Sequence, residues 1–153
     1  MDKKDVKILV ELAKNSRIPA TRIAKMLGIS DVAVKKRLAK LEKGGYIKGY
    51  QIVVDPVKLG FRVVAYIGVN IDSDKIIEVA QKLASWDDVV YVAVTSGDHD
   101  VMAEVWAKSS NEMHEKLEKI RQLEGVRNVY PAIVLDVIKS REAFPINVML
   151  KEV

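Results

Sequence analysis

Three short segments with apolar residues at helical spacing open the chain. From about Asp2 to Asn15, Val6, Leu9, Val10 and Ala13 form one stripe. Charges interrupt the apolar positions Val6, Ile8, Leu9 and Leu12, so this start reads as an amphipathic helix and not as a signal peptide. In the second segment Ile23, Ala24 and Leu27 fall at i, i+1 and i+4. In the third, Val34, Leu38 and Leu41 fall at i, i+4 and i+7 and are expected to face inward. Gly28-Ile29-Ser30 joins the last two. Gly28 stands where a helix takes a left-handed residue after its end. Ser30 is a good N-cap, and Asp31 places negative charge near the positive end of the helix dipole. The spacing predicts a helix-turn-helix. Gly44-Gly45 ends the third helix, Tyr46 to Ile52 reads as a short strand, and Asp55-Pro56 marks a turn.

The pattern then changes period. Arg62 to Asp72 and Val89 to Thr95 read as strands on either side of a helix from Asp74 to Trp86. Val101 to Ala107 starts the pattern again, followed by a helix from Asn111 to Leu123 with Met113, Leu117 and Ile120 inward. A strand from Val126 to Ile138 closes it. The helix-to-strand junctions repeat at an offset of 37 residues, Val89 against Val126 and Val92 against Val129. Seen only twice, that offset marks a duplication rather than a solenoid.

The fold class expected is therefore α+β: an N-terminal winged-helix-like helix-turn-helix head joined to a ferredoxin-like βαββαβ body. Its boundaries are 1–52 for the head, 53–60 for a connector, 61–139 for the body and 140–153 for a tail. Helices would cover one sheet face, and Tyr66, Tyr91, Val92 or their alternating neighbours would line the other. Such an exposed apolar face predicts self-association. Pro131 lies inside a strand pattern and implies an edge or a bulge, because it cannot donate to the ladder.

Charge adds a function to this pattern. Residues 1–50 hold 13 Lys and Arg against 5 Asp and Glu, while the remainder holds 12 against 16. A cationic head on an anionic body suggests a polyanion-binding element. Lys35, Lys36, Arg37, Lys40 and Lys43 fill the outer arc of the third helix. Its N-terminal half, with Asp31, Val32, Ala33, Lys35 and Lys36, is best placed to reach base edges in a major groove. Arg37, Lys40 and Lys43 are expected to meet phosphates. Thr21 and Ser30 complete the candidate DNA-binding set. The plainer reading of this helix alone is a solvated basic face, and the charge asymmetry between the two parts of the chain weighs against it.

Composition excludes several classes. With no cysteine there is no disulfide, thiolate metal site or cysteine nucleophile. No apolar run reaches transmembrane length, so no membrane partner is expected and the cytoplasm is the default location. Nucleophile elbows, phosphate loops, paired-carboxylate sites and metal motifs are missing, so neither an enzyme nor a cofactor is expected.

Ser30, Val34, Arg37, Leu38, Leu41, Gly45 and Ile47 form the pattern S-x-x-x-V-x-x-R-[IL]-x-x-L-x-x-x-G-x-I. It continues through Gly49-Tyr50, Asp55-Pro56, Leu59-Gly60 and the loop Thr95 to Asp100. On these residues the chain resembles the Lrp/AsnC family of regulators over about residues 2 to 138. The resemblance implies a DNA-binding head, dimers formed through the sheets, frequent assembly into octamers, and amino-acid effectors bound between dimers. It places Gly97, Asp98, His99 and Asp100 at the effector cleft. Asp98 can accept from an α-ammonium group, and the Gly97 N–H can donate to an α-carboxylate. The plainer reading is a polar turn between strands, where Gly and Asp are favoured anyway. One departure concerns the segment after Gly125-Val126. Val129 and Pro131 stand where family members with amino-acid ligands often carry Thr hydroxyls, and Tyr130 is the candidate substitute. Two histidines and no cysteine argue against zinc at Asp98, His99 and Asp100.

Double-stranded DNA is thus the expected partner, with an amino-acid-like effector and a homodimer assembling to an octamer. Two alternatives stand beside this reading: an amino-acid-sensing protein acting on an enzyme or partner, and a nucleoid-type architectural DNA binder.

Overall fold

The computed structural model describes residues 1–152. In chain order these form α1 (Lys3–Lys14), α2 (Ala20–Leu27), α3 (Asp31–Lys43), β1 (Val63–Ile71), α4 (Ile76–Ala84) and β2 (Val89–Val94). They continue with β3 (Val101–Ala107), α5 (Ser110–Arg121), β4 (Val126–Ile133) and α6 (Ile146–Lys151). Two compact units result: residues 1–53 with 139–153, and residues 54–138. No helix among the described residues is long and apolar enough to cross a membrane.

In the first unit, Ile8, Ile23, Ala24, Val34 and Leu41 form the core, with Leu9, Leu12, Leu27, Leu38 and Ile47 packed at its margin. Gly28 adopts φ 63°, and its N–H donates to the Ala24 carbonyl, so α2 ends in the left-handed residue expected. The Ser30 hydroxyl accepts from the Ala33 N–H at 3.1 Å and starts α3.

Helix α1 is buried over a wider arc than its predicted stripe. Ile8 is fully buried, while Leu9 and Ala13 are half-buried. Val6 and Val10 are buried outside the three-helix core. The segment after Ile138 belongs to this unit, and α6 packs against α1.

The short strand expected over Tyr46 to Ile52 is not formed. The Tyr46 and Ile47 N–H groups both donate to the Leu41 carbonyl, at 2.9 and 3.2 Å, and so finish α3 instead. Beyond them no strand among the described residues pairs with the segment, and an extended segment without a ladder partner leaves its backbone to water.

The second unit is a four-stranded antiparallel sheet in the order β2-β3-β1-β4. Ala65, Ile67, Val69 and Ile71 of β1 and Val101, Val105 and Ala107 of β3 point to one face. There they meet Val79 and Leu83 of α4 and Met113, Leu117 and Ile120 of α5. The alternate residues Val64, Tyr66, Gly68 and Asn70 share the opposite face with Met102, Glu104 and Trp106.

Pro131 lies on β4, an edge strand, the first of the two placements that its missing N–H implied. That strand ends at Ile133, well short of Ile138. Tyr66 and Tyr91 are exposed, whereas Val92 packs against the core. A bulge between Val89 and Tyr91 decides this, because it brings Tyr91 opposite Glu104 and Val92 opposite Ala103. One extra residue exchanges the two faces of a strand.

Candidate nucleic-acid interface and effector loop

The outer face of α3 is open. Val32 is 67% exposed, and Lys35, Lys36 and Lys40 are exposed beside it. Lys35 reaches back to Asp31 at 3.4 Å, while Asp31 and Ala33 are half-buried. Thr21 on α2 and Ser30 at the cap are exposed as well. The N-terminal half of α3 therefore offers an apolar contact at Val32 flanked by cations, at a helix end where backbone N–H groups attract anions.

Arg37 turns the other way. Its Nη1 donates to Asp2 Oδ2 and to Asp5 Oδ1, both at 2.7 Å. Those carboxylates also cap α1. Asp2 Oδ1 accepts from the Lys4 and Asp5 N–H groups, and Asp5 Oδ2 accepts from the Asp2 N–H. The Asp5 N–H and then Arg37 hold the Asp2 carboxyl down at about 2. Burial pushes Asp5 up, but the Asp2 N–H and Arg37 outweigh it and its carboxyl also lies low. Hydrogen bonds to Asp5 and Asp2 raise Arg37 in return. The phosphate contact expected of Arg37 therefore meets a guanidinium already engaged inside the head. Its partners were half legible: Asp-x-x-Asp before an apolar run is a capping signal, but nothing local links it to Arg37.

In the body, the loop after β2 brings most of the effector candidates together. The Thr95 hydroxyl donates to the His99 carbonyl at 2.6 Å, and the Thr95 N–H donates to the Asp100 carbonyl at 2.9 Å. Asp100 Oδ2 accepts from the Ile71 N–H at 2.8 Å, so this carboxylate holds the loop to β1. His99 Nδ1 lies 3.0 Å from Asn70 Oδ1, and its ring centroid is 5.0 Å from that of Tyr130. Gly97 and Asp98 stay exposed at the tip.

Tyr130 also lines a shallow depression of about 240 Å³ with Arg121, Arg127 and Asn128. Gly68, Asn70 and these two arginines are the neighbours that sequence reasoning missed, and none of them carries a local signal. No group of three or more potential metal ligands occurs among the described residues.

The sequence profile of an AsnC-type helix-turn-helix domain matches residues 1–42, and that of an Lrp/AsnC ligand-binding domain matches residues 64–144. The chain belongs to the Lrp/AsnC family. It is 43% identical to the HTH-type transcriptional regulator LrpA of Pyrococcus abyssi, over 91% of this chain and 99% of that one. Among solved structures of the family, E. coli AsnC superposes with a TM-score of 0.84 at 29% identity, covering 92% of this chain and 96% of that one. A Neisseria meningitidis transcriptional regulator in complex with L-Met gives 0.89 at 25% identity, covering 98% and 99%. As an Lrp/AsnC protein, the chain carries the family's helix-turn-helix domain on α1 to α3 and its ligand-binding domain on the sheet.

Proposed function

We propose that this Lrp/AsnC protein is a sequence-specific DNA-binding transcriptional regulator whose reading element is the exposed N-terminal half of α3. The observation that carries this is the open face of Val32, Lys35 and Lys36 at the start of a capped helix, with Lys40 exposed further along it. Val32 offers methyl contact to a thymine, the lysines reach base edges and phosphates, and Thr21 and Ser30 flank them. A homodimer would present two such helices to successive major grooves. Exposed Tyr66, Tyr91 and Tyr130 on the uncovered side of the sheet support self-association, with an octamer as the larger assembly.

The effector proposed is an amino acid. The exposed Asp98 carboxylate suits an α-ammonium group, and the neighbouring Gly97 N–H suits an α-carboxylate, with His99 and Tyr130 beside them. Asp100 shapes the loop through the Ile71 N–H. The relative solved with L-Met supports this ligand class.

A salt-titrated binding assay tests the reading, comparing DNA upstream of the protein's own gene with random DNA of equal length. A preference above about 10³-fold at physiological salt is expected of a site-specific regulator. Equal, steeply salt-dependent binding to both would make the protein architectural. Absence of binding to either would leave the amino-acid-binding body as its working part.

A further inference from the structure

We infer that Arg37, though it lies on the reading helix, is a positioning residue that fixes α3 against the start of α1 and does not itself contact phosphate. The inference rests on the DNA reading proposed above. Three observations carry it.

The first is occupancy. The guanidinium bridges two carboxylates 35 and 32 positions away in the chain, so one side chain ties α3 to the N-terminus of α1. Both acceptors are themselves held by backbone N–H groups, which leaves them little freedom to release it.

Charge is the second. One guanidinium with two carboxylates sums to a negative cluster, and Asp5 is the buried charged residue of the described chain. A phosphate approaching Arg37 would meet two carboxylates with it. Lys36 and Lys40 are exposed, and among the described residues no ion pair is formed by either.

Direction is the third. At 100° per residue Arg37 stands ~60° from the buried Val34, whereas Lys36 stands ~160° away on the far side. Arg37 thus borders the core stripe, and its fork sets how far α3 is rotated about its own axis. A rotation error there would carry Val32 and Lys36 off the base edges together.

The test is the affinity and salt dependence of the full-length protein for its own upstream DNA, measured for wild type, R37K, D5N, D2N and K36A. R37K keeps the charge but loses the two-pronged geometry. Positioning predicts that R37K binds at least about 10-fold more weakly although its charge is kept, while K36A lowers the salt slope by about one. It also predicts weaker binding by D5N and D2N, although each removes a negative charge from a head that meets a polyanion. If Arg37 instead touches phosphate, R37K stays near wild type and D5N and D2N bind equally or more tightly, which overturns the inference. Circular dichroism and thermal melting monitor folding. Should R37K or D5N fail to fold, D2N decides, because it removes one of the two anchors of Arg37 at an exposed side chain and leaves the buried Asp5 in place. Wild-type protein that binds no DNA would sink the function proposed above. Binding that R37K, D5N and D2N do not weaken would sink this inference alone.

Discussion

The His99 ring lies against Gly68: a methyl group at that glycine would sit 2.4 Å from His99 Cδ2 and 2.5 Å from Cγ. Gly68 is on β1 and faces the uncovered side of the sheet, where Tyr130 of β4 is its register partner. The absence of a side chain at Gly68 is what lets the loop of Thr95 to Asp100 fold down onto the strand. Replacing Gly68 with Ala should expel the ring and break its contact with Asn70. A loss of about 1–3 kcal/mol is expected, as for other overpacked sites, read as a lower denaturation midpoint. The same variant should respond less to an amino acid that wild type senses. An unchanged melt and response would show that the ring's seat on Gly68 is dispensable.

Acid should loosen the head in a defined window. Asp2 and Asp5 both have carboxyls held below their ordinary value in the folded state. A group lowered on folding contributes stability above its unfolded pKa and loses it as pH falls through the folded one. For Asp2 that window runs from its ordinary 3.8 down to about 2. Wild type and Asp2→Asn should differ in denaturation midpoint near neutrality and converge as pH falls through this range. Parallel curves at all pH values would show that the cap and clamp do not hold in solution.

Lys36→Ala should weaken DNA binding about tenfold at moderate salt while leaving the melting temperature unchanged, because one phosphate or base contact is lost without loss of packing. The side chain is exposed, so nothing in the head depends on it. Unchanged affinity would remove this face of α3 from the interface.

Asp98→Ala should blunt the amino-acid response and spare DNA binding by the head. Asp98 is exposed at the loop tip, and the loop's anchoring bonds come from Thr95 and Asp100 instead. Calorimetry with a panel of amino acids measures it. Retained binding would move the ammonium partner elsewhere.

Deleting residues 140–153 should lower the stability of the head by about 1–3 kcal/mol, the scale of exposing one or two aliphatic side chains. Helix α6 packs on α1, and Val6 and Val10 of α1 are buried outside the three-helix core. Hydrogen exchange of α1 amides in the full and shortened chains checks this. Equal protection would make the tail a passive end.

Much of the architecture was legible because it is written in local periods. The three helices of the head, their caps at Gly28 and Ser30, and the repeat of strand and helix in the body came through within about two residues of the expected ends, apart from the end of β4. Pro131, through its own missing donor, left an edge or a bulge as the choices, and β4 is an edge. Other features gave no such local sign. Tyr91 and Val92 are adjacent and cannot share a face, and a bulge at Val89 to Tyr91 chose between them. The strand expected over Tyr46 to Ile52 had suitable residues but no partner.

The candidate site divides in the same way. Local spacing is enough to make α3 a capped helix with an apolar back and a cationic front, and to join two strands by a Gly-Asp-His-Asp turn. Those properties arise from neighbours within about four residues, which helical and strand geometry bring together whatever else the chain does. Long-range packing is what assigns Arg37 to Asp2 and Asp5, Asp100 to the Ile71 N–H, and His99 to its seat on Gly68. Each of these joins residues about 30 positions apart, so each depends on how helices pack and how strands register. A one-residue change in register turns every side chain of a strand to the opposite face, and no local pattern records that choice.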